Sequence, residues 1–193
     1  MDIVERIKKE LKSLYELYES GAMMEGVRGA RIYPILTEGE MKVIEERLGF
    51  VLSKLLRRLY LEVSNGGYGP SYGILSFGKG LKDNYGLDII ETYEHLCQTN
   101  SRDPFWKWPE KLLPICDLGC GMYICVDCST SEGATVWFEP NPHCEGESWD
   151  NYFIPFTSST EQWLASWLDN MEVELFNRAE LVFQNRFHNS TSC

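Results

Sequence analysis

The chain has 193 residues, 44% of them hydrophobic and 13% aromatic, which is apolar material for one substantial core and a length within that of one domain. It contains no run of roughly 20 apolar residues that could span a bilayer, and its opening MDIVERIKKE lacks the apolar stretch of a secretory signal. The net charge of −11 repels nucleic acid and anionic membranes, so the expectation is a cytoplasmic protein with neither as a partner.

In chain order, Ile3, Ile7, Leu11, Leu14 and Tyr18 recur at helical spacing with Lys8, Lys9 and Lys12 between them, and Gly21 offers a stop. Either this helix covers the domain's own core, or it docks a partner through Ile3, Ile7, Leu11 and Leu14. GAMMEGVRGARIYP then reads as an irregular link. Thr37 and Glu40 have capping-box spacing for a second helix to about Leu48. Ser53 can cap a third, with Leu55, Leu56, Leu59, Tyr60 and Val63 on one face before Asn65-Gly66-Gly67 ends it.

Tyr72–Phe77 follows as a first strand, and Asp88 caps a short helix through Cys97. QTNSRDPFWKWPEK has loop character despite its two tryptophans. Leu112–Cys116, Met122–Cys128, Thr135–Glu139 and Asn151–Phe156 are β-prone runs spaced as a meander, with Gly119-Cys120-Gly121 as a hairpin turn. Ser158 and Glu161 repeat the capping-box spacing, and Trp163, Leu164, Trp167, Leu168, Met171 and Leu175 form the stripe of a last helix that covers the sheet. QNRFHNSTSC is polar and is expected to fray. The fold class is therefore α+β, one mainly antiparallel sheet of about five or six strands packed by N-terminal helices and a C-terminal helix.

Seven cysteines without an export signal read as reduced thiols. Only Cys125 and Cys128 have the two-residue gap of a zinc bite, and on a strand their side chains diverge, so no metal is expected. No thiol is joined to a histidine by a known signature, and G-x-S-x-G, P-loop and dinucleotide fingerprints are missing. No catalytic residue and no cofactor are expected.

Charge is unevenly placed. Residues 1–60 hold 10 acids and 11 Lys or Arg, whereas residues 61–193 hold 19 acids and 7 bases. The excess concentrates in 103–150, with 9 acids against Lys107 and Lys111, beside Trp106, Trp108, Trp137 and Trp149. Aromatic anchors ringed by carboxylates suit capture of a basic protein. The candidate partner-binding residues are Asp117, Asp127, Glu139, Glu145, Glu147 and Asp150, with Trp106, Trp108 and Trp149. The alternatives are a solvated sheet face for the acids, with Asp127, Tyr123 and Cys125 on it, and core positions for the tryptophans.

EERLGFVLSKLLRRLYLEVSNGGYGP (45–70), WPEKLLPICDLGCGMYICVD (108–127) and FTSSTEQWLASWLDN (156–170) together resemble the SUKH superfamily, which includes the Smi/Knr-type domain of fungal cell-wall-synthesis regulators. The recognisable part runs over 37–176 of a single domain spanning 1–193, with an N-terminal helical extension at 1–36 and a C-terminal tail at 178–193. Ser53 departs from the family, where proline often precedes the third helix. The resemblance implies an α+β fold without catalysis, and many bacterial members look like immunity proteins that neutralise nuclease- or deaminase-type toxins. It also allows a regulatory or scaffolding module.

Overall fold

Residues 1–19, 31–100 and 102–187 are described by a computed structural model. Among them are six α-helices, α1 (Ile3–Glu19), α2 (Glu38–Leu48), α3 (Lys54–Glu62), α4 (Ile89–Leu96), α5 (Thr160–Leu168) and α6 (Glu172–Phe187). One antiparallel sheet runs in the order β1 (Leu112–Gly119), β2 (Met122–Asp127), β3 (Thr135–Phe138), β4 (Phe153–Thr157). The glycine-rich link expected over 21–34 lies largely outside the described residues. No described helix is long and apolar enough to cross a membrane.

Local chemistry sets the boundaries. The Thr37 hydroxyl accepts the Glu40 N–H while the Glu40 carboxylate accepts the Thr37 N–H, a complete capping box for α2. Asp88 and Glu91 make the same exchange at α4. At α5 the cap is Ser159 rather than Ser158, because the Ser159 hydroxyl takes the Gln162 N–H. Ser53 precedes α3, but its side chain makes no cap hydrogen bond, and the first helical amide, Lys54 N–H, donates to Ser131 O. The Ser53 φ of −55° lies in the range that proline adopts. Between β1 and β2, Cys120 (φ 53°) and Gly121 (φ 78°) form a two-residue turn with both φ values positive, the type I′ pattern that matches strand twist.

Among the described residues four strands form, not five or six. Tyr72–Phe77 fails to pair because its amides are spent separately: Ile74 N–H goes to Tyr68 O, Leu75 to Ile115 O, Ser76 to Leu81 O and Phe77 to the Asn65 side chain. A single bond to β1 makes no ladder. The last helix also differs, for Asn170 takes φ 57° and the chain breaks into α5 and α6, leaving Met171 exposed. α6 runs on to Phe187, so residues placed in the tail after 178 continue a helix that packs on β4.

Both sheet faces are covered, which corrects the expectation that one was wet. On the first, Leu113, Ile115, Ile124, Val126, Trp137 and Ile154 meet the helices. α1 belongs to this core, since Ile3, Val4, Ile7 and Leu11 are buried, and Ile3, Ile7 and Leu11 are therefore unavailable as a docking ridge. On the second face Tyr123, Cys125, Phe138 and Tyr152 lie beneath Trp108 and its loop. Cys125 and Cys128 thus sit in opposite layers, and burial pushes the thiols of Cys116 and Cys128 up to about 12, away from the thiolate a nucleophile needs. Cys144 is disulfide-bonded, a departure from the reading of all seven as thiols.

Candidate functional site: an aromatic groove

The second sheet face ends in an aromatic wall that the chain builds in two steps. β3 delivers Phe138, and Glu139 N–H extends the pairing to Tyr152 O at 3.0 Å before Pro140 turns the chain away. The loop returns through Gly146 (φ 88°) to Ser148, whose hydroxyl caps the 3-10 turn Trp149–Tyr152. Trp149 is thereby laid beside Phe138, with the His143 ring stacked on it at a centroid distance of 3.6 Å and 8° between planes.

The opposite wall is the end of α4 and the loop after it. Trp106 donates its indole N–H to Leu96 O at 3.0 Å and meets Trp149 edge-on, 4.7 Å between centroids at 90°. Trp149 donates its own indole N–H to the Asp103 carboxylate at 2.7 Å, tying together loops 46 residues apart. Asp103 also accepts Phe105 N–H within its turn. Between the walls lies a groove of about 460 Å³, lined by His95, Leu96, Gln98, Thr99, Asn100, Trp106, Phe138, Pro140 and Trp149.

The candidate acids disperse over the molecule. Asp117 is buried, and its carboxylate accepts Asn84 and Gly119 N–H groups at 2.7 Å each, so it fastens a turn. Asp127 accepts Ser129 N–H at the far end of β2, four residues or roughly 13 Å from Tyr123, the residue paired with Phe138 beside the groove. Glu139, Glu145, Glu147 and Asp150 are brought together on the 139–152 loop. Glu139 accepts the Asn141 backbone and side-chain amides, Glu147 accepts the Tyr152 hydroxyl at 2.6 Å, and Asp150 accepts the Ser148 hydroxyl. Burial, then the Glu147 bond, pushes the Tyr152 hydroxyl up to about 12. Glu145 is exposed.

The tryptophans divide. Trp108 is only 5% exposed, donates to Leu112 O at 2.7 Å and packs on Phe138 and Phe153, which makes it core. Trp106 and Trp149 are half-buried and line the groove. Sequence reasoning missed Asp103, His143 and the His95–Asn100 rim. An Asp-Pro turn was visible at 103–104, but nothing local ties it to Trp149.

Chemically, this arrangement offers π faces, carbonyl and carboxylate acceptors, and a polar rim. Among the described residues no group of three His, Cys, Asp or Glu side chains is placed to hold a metal.

No curated protein matches the chain. The model of the SMI1 / KNR4 family (SUKH-1) matches residues 35–166, from just before α2 into α5, so that α1 and α6 lie outside the match although both pack on the same core. With more than half of its residues under that model, and with the helix-loop-meander-helix order the match spans, the chain belongs to the SMI1 / KNR4 family (SUKH-1).

Proposed function

We propose that this chain is a non-catalytic protein-binding domain, an immunity protein that neutralises a cognate toxin of nuclease or deaminase type by direct contact. The observation that carries the reading is the loop 139–152, which carries the exposed Glu145 and Asp150 and the half-buried Glu147, with Glu139 buried at its start, has no Lys or Arg, and contains the half-buried Trp149 of the groove. Such a surface draws a basic domain by long-range attraction and holds it by aromatic contact. A domain that binds nucleic acid is the natural bearer of the matching charge. The family assignment supports the reading, because it is compatible with an immunity role as well as with that of a regulator.

The test is genetic and direct. The coding sequence beside this one should specify a large protein with a basic C-terminal domain, and cells expressing that domain should die alone and survive when this chain is co-expressed. The regulatory alternative gains if co-purification from the native cell instead recovers resident proteins and no toxic domain.

A further inference from the structure

We infer that the aromatic groove between the end of α4 and the 139–152 loop is the seat of an arginine side chain from the basic partner, a deepening that rests on the protein-binding reading above. Three observations point to a cation there. The indole N–H groups of Trp106 and Trp149 are both committed, to Leu96 O at 3.0 Å and Asp103 at 2.7 Å, so the aromatic rings that line the groove present it with ring surface and no indole donor, while His143 covers one face of Trp149. The groove begins at the C-terminal end of α4, where backbone carbonyls carry partial negative charge.

Third, the loops 96–108 and 139–152 carry Asp103, Glu139, Glu145, Glu147 and Asp150 against Arg102 and Lys107. Asp103, Glu139, Glu147 and Asp150 bond to neutral groups, namely the Trp149 indole, the Asn141 amides, the Tyr152 hydroxyl and the Ser148 hydroxyl, and none of these bonds neutralises the carboxylate. Phe138 and Pro140 narrow the groove on one side, while Gln98, Thr99 and Asn100 supply polar atoms on the other. A planar guanidinium fits better than an ammonium, because it stacks flat on an aromatic ring while its edge donors stay free to bond acceptors at the polar rim.

The probe is the capped tripeptide acetyl-Gly-Arg-Gly-amide, titrated at millimolar concentration into the full-length chain, with the indole N–H resonances of Trp106 and Trp149 followed by NMR. Saturable shifts of these two indoles, and none from the isosteric citrulline peptide, are expected. In Glu139→Gln, which keeps an acceptor for Asn141, and in Trp149→Phe, which keeps an aromatic ring, affinity should fall about two- to five-fold. Amide dispersion like that of the parent shows that each variant is folded.

Equal shifts from the arginine and citrulline peptides, or none from either, overturn the groove assignment. So does a concentration-dependent shift without peptide, which would seat a second copy there. So does a response that grows when the chain is shortened to end at Phe187, which would give the groove to the chain's own last residues. Each of these leaves the toxin-neutralisation reading standing, since survival of toxin-expressing cells tests that separately.

Discussion

Replacing Trp108 with alanine is expected to destabilise the protein by about 3–5 kcal/mol, the cost of emptying a large aromatic site in a close-packed interior. Trp108 is 5% exposed and sits edge-on to Phe138 at 5.1 Å and Phe153 at 5.3 Å, and its indole N–H satisfies Leu112 O inside the layer. Removing the ring opens a cavity and leaves a buried carbonyl without its donor. Trp149→Ala should cost about 1–2 kcal/mol, because Trp149 is half-buried and its hydrogen bond goes to Asp103 at the edge. Urea unfolding followed by circular dichroism measures both. A Trp108 variant as stable as the parent but unable to bind a partner would return that residue to the interface.

Gly66→Ala should cost more than about 3 kcal/mol, whereas Gly49→Ala, with nearly the same backbone angle, should cost only about 1–2 kcal/mol. Both glycines hold positive φ, 77° and 78°, so the conformational strain of adding a side chain is shared. They differ in space. A Cβ on Gly66 would lie 2.5 Å from Ile74 O and 2.6 Å from Leu75 O, both backbone atoms, while on Gly49 it would meet nothing within 4 Å. The difference between the two variants in thermal or chemical unfolding isolates the close approach of α3's end to the 74–77 segment. Equal losses would mean that Gly66 serves conformation alone.

That close approach also shows where sequence reading reaches its limit. Asn65-Gly66-Gly67 is legible as a stop, and it does end the segment after α3, but its further role depends on residues that arrive later in the chain. The Asn65 amide donates to Phe77 O and accepts Phe77 N–H, which removes Phe77 from any ladder and abolishes the strand that its β-prone neighbours suggest. Likewise the apolar stripe Trp163 to Leu175 keeps helical period across a break that Asn170 introduces by a single positive φ.

Features fixed within a few residues were readable: the box at Thr37, the cap at Asp88, the Cys120-Gly121 turn and the order of the meander. At the candidate site the acids and tryptophans were legible as a composition, and their sorting was not. Trp106, Trp108 and Trp149 look alike in sequence, yet one fills the second layer while the other two line a groove, because only the fold brings the Asp103 turn under Trp149. Asp117 and Asp127, one residue type on neighbouring strands, end up as a buried turn fastener and a residue at the far end of the sheet. The acidic surface is therefore narrower than the charge count over 103–150 implies, and centres on 139–152.

The most direct measurement of the central claim is the association rate of this chain with the basic toxic domain encoded beside it, followed by stopped-flow fluorescence as ionic strength is raised. The account predicts a one-to-one complex whose association rate falls about ten-fold or more between low and physiological salt, and falls less steeply when Glu145, Glu147 and Asp150 are changed to lysine. No complex with that domain, or a complex whose rate ignores both salt and these three charges, would contradict it.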